Sequence, residues 1–129
     1  MPVALIVYGT LKREAPGRRH RLLRDARYVR NASVTGILYD LGRYPGLVRE
    51  LANGHRVFGE LYELSDDMAP RVLRDLDRYE GREFSRRRIC VKLPDGRRRA
   101  AWTYVIRGRP PRSARQLTSG RYARKRGAA

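Results

Sequence analysis

Six apolar residues in a row, Val3-Ala-Leu-Ile-Val-Tyr8, begin the pattern of this chain. The run is short and rich in β-branched side chains, which predicts a strand buried on both faces. Gly9 and Thr10 break it, and a glycine directly after a buried strand permits a sharp backbone turn. The segment from Lys12 to Arg24 is polar and basic, with room for a short helix near Arg18–Leu23. Arg27–Val34 and Gly36–Leu41 read as two further strands, and Gly42-Arg-Tyr-Pro-Gly46 as turn chemistry ahead of Leu47 and Val48. Arg56–Leu64 is a strong strand with apolar residues on both faces. Ser65-Asp66-Asp67 then looks like a helix start. Pro70 cannot lie deep in a helix, so the start is placed near Asp67 with Pro70 in the first turn. Met68, Val72, Leu73, Leu76 and Tyr79 follow on one helical face, and Gly81 supplies a left-handed terminator. Ile89, Val91 and Leu93 alternate on one arm of a hairpin and Trp102, Tyr104 and Ile106 on the other, with Pro94-Asp95-Gly96 as its turn. Beyond Ile106 the chain is rich in Gly, Pro and Arg. Gln116–Tyr122 is expected to dock, and residues 124–129 to form a loose basic tail after a single domain of residues 1–123. The sum is an α+β fold, largely sheet, with one clear helix.

Composition changes this picture in one respect. Of the 129 residues 41% are hydrophobic, which suits a folded domain with one modest core. No apolar run approaches the ~20 residues of a membrane-spanning helix. Val3–Tyr8 is too short for a signal peptide and has no basic residues before it. Cys90 is the lone cysteine, so no internal disulfide forms, and it is expected as a buried apolar filler. A cytoplasmic location is the expectation that fits. The formal net charge of +17 is the departure, and from Arg97 to the end there are eleven basic residues and no acidic one. Such a surface attracts a polyanion or an acidic protein partner, although a merely solvated surface accounts for it as well.

Candidate chemistry is narrowed by what is missing from the pattern. No Ser-His-Asp arrangement is evident, and neither His20 nor His55 is spaced with cysteine as a metal ligand, so no metal is expected. No nucleotide-binding fingerprint is present. Carboxylates are scarce. Asp66 and Asp67 are explained by the helix start, Asp95 by its turn, and Asp75 and Asp77 by nearby arginines. Glu80 stands apart at the end of the amphipathic helix, where the helix dipole disfavours negative charge and raises the carboxyl pKa, as suits a base. A surface ion pair is the alternative that the residues alone leave open.

Val7-Tyr8-Gly9-Thr10-Leu11-Lys12 resembles the N-terminal signature of the γ-glutamylcyclotransferase-like family, which includes the AIG2-like and γ-glutamylamine cyclotransferase branches. Gly36–Val48 resembles the family's second block and Val57–Leu64 its third. Leu76-Asp-Arg-Tyr-Glu-Gly81, with Phe84 and Arg86, resembles the block that holds the catalytic glutamate. Ala101-Trp-Thr-Tyr-Val105 and Leu117-Thr-Ser-Gly-Arg-Tyr122 resemble the last two, although Arg121 and Tyr122 replace the acid and tryptophan often found after that glycine. The resemblance implies a mixed β-barrel with flanking helices, and a cofactor-free reaction on a small γ-glutamyl substrate. The substrate's α-amine attacks its γ-carbonyl and gives 5-oxoproline and a released amine. It implies Glu80 as general acid and base, with Tyr8, Gly9, Thr10 and Leu11 around the substrate and Lys12 and Arg13 adjacent. Tyr104 is expected to line the cavity. For Tyr44 and Tyr79 an ordinary core or rim position is the stronger expectation. A rival reading keeps the fold but makes the chain a basic nucleic-acid-binding or regulatory module without this activity. Its support is the acid-free stretch from Arg97 to the end; no binding motif accompanies it.

Overall fold

A computed structural model describes residues 2–13, 20–52 and 54–123. Seven strands and one α-helix follow in the order β1 (Val3–Val7), β2 (Arg27–Asp40), β3 (Pro45–Val48), β4 (His55–Leu64), α1 (Ala69–Glu80), β5 (Phe84–Lys92), β6 (Arg98–Ile106) and β7 (Arg115–Gln116). Five of the strands close into a barrel. β2 pairs antiparallel with β4, β4 with β1 and β6 with β5; β1 lies parallel to β6 through Leu5 and Trp102; and β5 returns to β2 at Ser33 and Lys92. β3 and β7 stand outside the barrel, both paired with the far end of β2. The expected mixed β-barrel is thus the observed architecture.

Side-chain alternation divides the apolar residues into two sets. Ala4, Ile6, Val34, Leu61, Val91 and Val105 are among those filling the barrel. Leu5, Val7, Tyr62 and Leu64 point the other way, against Val72, Leu73 and Leu76 of α1. A strand that serves both sets must be apolar at every position, which is why β1 reads as a continuous run. The same division separates the arms of the β5–β6 hairpin. Ile89 and Val91 face the interior, whereas Trp102, Tyr104 and Ile106 face the helix side. Burying these positions at about 25 cal/mol per Å² is the main term holding α1 to the barrel.

Several details differ from the sequence reading. Arg27–Asp40 is one continuous strand rather than two. Gly36 marks no break; a Cβ there would lie 2.7 Å from the Val48 carbonyl oxygen, so the glycine lets β3 approach closely. The helix begins at Ala69, and the Ser65 carbonyl accepts from Met68 and Ala69 N–H at its start. Cys90 is exposed, since β5 alternation sends it outward between Ile89 and Val91. Leu93 falls just past β5, in the Pro94-Asp95-Gly96 turn, where Gly96 has φ +90°. Residues 21–23 form a 3₁₀ turn, while Arg18 and Arg19 of the expected helix lie outside the described residues, as does the proposed 124–129 tail. Gln116–Tyr122 docks as expected: Leu117 N–H donates to the Leu38 carbonyl, Phe58 N–H to the Gly120 carbonyl, and Tyr122 is buried. No described helix is long and apolar enough to cross a membrane.

Candidate active site

The last turn of α1 and the turn after β1 face each other across a cavity of about 340 Å³. Tyr8, Gly9, Thr10 and Leu11 form one wall; Tyr79, Glu80, Glu83 and Phe84 form another; Tyr44, Pro45, Thr103 and Tyr104 complete it. Glu80 is the last helical residue, and Gly81 beyond it takes φ +76° and donates its N–H to the Asp77 carbonyl. The side chain of Glu80 is largely removed from water, and this burial lifts its carboxyl to about 7. The expected direction is observed, but its cause is desolvation rather than the helix dipole.

Phenols surround the carboxyl. Tyr8 donates its hydroxyl hydrogen to the Tyr104 carbonyl and accepts from Leu47 N–H at 3.2 Å. Burial, reinforced by the charge of Glu80, pushes this phenol well above the ordinary range and keeps it protonated. Tyr104 lines the cavity, and its hydroxyl donates to Asp77 at 2.6 Å. Arg86 donates to both carboxylate oxygens of Asp77, at 2.9 and 3.2 Å, and stacks 4.6 Å from the Trp102 ring centroid. Burial opposes ionisation of Asp77, yet the bonds from Arg86 and Tyr104 hold its pKa below the usual value. Asp77 lies one turn before Glu80, so this cluster ties the C-terminal end of α1 to the hairpin.

Thr10 and Tyr79 hydroxyls lie 3.2 Å apart across the cavity mouth, and the Tyr44 hydroxyl donates to Glu83 at 2.7 Å. Both Tyr44 and Tyr79 therefore belong to the cavity wall rather than to an unrelated rim. Glu83, Phe84, Pro45 and Thr103 are wall residues that sequence reasoning missed. Glu83 carried a signal, because acids are scarce and it sits three residues past Glu80.

Gly9 is required for a different reason from the one expected. Its φ is not in the left-handed region; instead a Cβ would sit 2.7 Å from Cγ of Pro45. Lys12 and Arg13 do not reach the cavity. Lys12 N–H closes the turn onto the Gly9 carbonyl, and its ammonium donates to the Tyr122 carbonyl at 2.8 Å. The Arg13 guanidinium pairs with Glu60 at 3.2 Å and lies over the Tyr28 ring. No cluster of three or more His, Cys, Asp or Glu side chains suited to a metal occurs among the described residues.

Comparison with known proteins bears on the family and the fold. The family model "Gamma-glutamyl cyclotransferase, AIG2-like" matches residues 5–124. The chain is 37% identical over 101 residues to gamma-glutamylaminecyclotransferase of Bos taurus, covering 69% of this chain and 56% of that protein, so it spans little more than half of that relative's length. An AIG2-like protein of Mus musculus superposes with a TM-score of 0.66 at 25% identity, over 85% of this chain and 80% of that one. YkqA of Bacillus subtilis shares the fold, with a TM-score of 0.72 at 22% identity over 95% of this chain but 40% of its own. The ordered blocks, the barrel and the match across residues 5–124 place the chain in the AIG2-like gamma-glutamyl cyclotransferase family.

Proposed function

We propose that this chain is a γ-glutamyl cyclotransferase in which Glu80 moves the protons. The observation that carries the reading is a desolvated carboxyl with a pKa of about 7, lining one cavity together with the Gly9–Leu11 turn. A base poised near neutrality is matched to deprotonating an ammonium group. Glu80 takes a proton from the α-ammonium of a γ-glutamyl amide. The amine nitrogen then bonds to the γ-carbonyl carbon, forming a tetrahedral oxyanion. The bond to the leaving nitrogen breaks as Glu80 returns the proton to it, and Glu80 then relays the second proton of the ring nitrogen to the released amine, giving 5-oxoproline, an ammonium product and the ionised carboxylate again. Backbone N–H groups of the Gly9–Leu11 turn are the donors suited to the oxyanion, because Gly9 allows the backbone this close approach. The walls fold the extended glutamyl chain for ring closure, an orientation effect worth several kcal/mol in general.

The test is product analysis of purified protein with a panel of γ-glutamyl amines, amino acids and peptides, following 5-oxoproline, with Glu80→Gln in parallel. Release by the native chain and not by the variant is expected. Full activity in the variant would remove Glu80 from the mechanism, and no release from any compound would remove the reaction.

A further inference from the structure

On the other side of the Gly9–Lys12 turn lies a larger cavity, about 720 Å³. Its floor is the outward face of β2 and β4, with Asn31, Ser33, Phe58 and Glu60, and its rim is Leu93-Pro94 and the docked segment up to Ala123. Four cationic side chains from four separate segments converge on it: Lys12 after β1, Arg56 of β4, Lys92 at the end of β5, and Arg121 of the C-terminal segment. The single acid in this lining, Glu60, is already engaged by Arg13 and the Tyr62 hydroxyl. Among the described residues neither Lys92 nor Arg121 is in an ion pair.

We propose that this cavity is a second binding site, for a small molecule carrying two or more phosphate groups. It shares no lining residue with the cavity of Glu80. Three of its cations are held in place before any ligand arrives. Lys12 is tethered to the Tyr122 carbonyl, Arg56 to the Ser33 hydroxyl, and the Arg121 guanidinium rests 4.0 Å from the Phe58 ring centroid. Pre-ordering lowers the entropy lost on binding. Each of these groups has N–H donors to spare, and phosphate oxygens can take donors from guanidinium forks and ammonium groups together. The volume lies in the range of small-molecule sites and far exceeds one inorganic phosphate. An adjoining cavity of about 250 Å³ shares Ser33, Arg56 and Lys92 and adds Arg49 and Arg98, so a second phosphate has cations to meet. Phe58, Leu93, Pro94 and Tyr122 supply apolar surface for an uncharged portion of the ligand.

The experiment is calorimetric titration of the full chain with tripolyphosphate at physiological salt. Saturable one-to-one binding is expected, weakened at least about tenfold when Lys92 and Arg121 are both changed to Glu. A control with Arg74→Glu and Arg112→Glu makes the same change in net charge on exposed residues elsewhere and is expected to bind within about twofold of the native chain. Equal weakening in both variants would reduce the effect to the general field of a +17 protein and overturn the site. Thermal melting checks that each variant folds, and Arg121→Gln alone, at an exposed position, gives the readout if the double change does not. A single-stranded oligonucleotide is the second probe. If it depends on Lys92 and Arg121 while tripolyphosphate does not bind, the surface is a nucleic-acid groove and the proposal fails.

Discussion

The cavity of Glu80 and the cavity of Lys12 stand on opposite sides of one hydrogen-bonded turn, Gly9–Lys12, and their chemistry is opposite. The chain has 30 basic and 13 acidic residues, yet two acids and no described basic residue line the first cavity. The second has four cations and one acid that is already paired. Composition therefore describes the second region and misdescribes the first. The difference matters for the proton chemistry. A cation beside a carboxylate lowers its pKa, by 1–3 units at close range. With the Lys12 ammonium bonded to the Tyr122 carbonyl on the far side, no described cation offsets the burial of Glu80.

The sharpest way to break the comparison is to remove one side of it. Glu80→Gln should lower turnover of γ-glutamyl amines by about 10²–10⁴-fold while leaving tripolyphosphate titrations unchanged. The pH dependence follows from the same group. With the base required in its ionised form, kcat/KM should rise with pH and level off above about 7. Stability runs the opposite way. The folded pKa lies above the ordinary value of 4.5, so the native state binds more protons between the two, and stability falls as pH rises through that window. Glu80→Gln should therefore melt higher than the native chain above pH 7, by on the order of 2 kcal/mol, with the gain vanishing below about pH 4.5.

Gly9→Ala attacks the turn that separates the two cavities, on the side of Glu80. The new methyl group meets Pro45, so either the turn or Pro45 must shift. Turnover should fall about 10–100-fold, because small misplacements of an orienting wall are costly. A melting temperature unchanged alongside unchanged turnover would show that Pro45 yields instead. The smallest effect is expected at Arg86→Ala, which removes two of the bonds that fix Asp77, the partner of the Tyr104 hydroxyl, without entering the cavity. A loss of about tenfold in kcat with little change in KM, partly restored by Arg86→Lys, would identify a positioning role. An equal loss for both substitutions would point to simple destabilisation.

Much of the scaffold was legible because it rests on periodicity. β1, β4, α1 and the β5–β6 hairpin each bury a face whose spacing is written in the sequence, and Glu80 is marked by its place before Gly81. What was not legible depends on distant pairs. The continuity of β2 through Gly36 exists because β3 packs against it. The outward turn of Lys12 needs the Tyr122 carbonyl, 110 residues away in the chain. The place of Tyr44 and Glu83 on the cavity wall depends on a hydrogen bond across 39 residues. The cation cluster of the second cavity likewise draws on four separate segments, so no local window displays it.

The length of β2 has a consequence for how the chain avoids error. Of its first ten residues all but Val29 pair with β4, and its last four carry β3, with β7 on the final two. A slip of one residue would turn Ala32, Val34 and Leu38 out of the barrel and bring Ser33, Thr35 and Ile37 in. The same slip would misalign both outer strands, because one ribbon sets the alignment of β4, β3 and β7 together. Each pairing therefore proofreads the others, and a misregistered intermediate is rejected at both ends of the same strand.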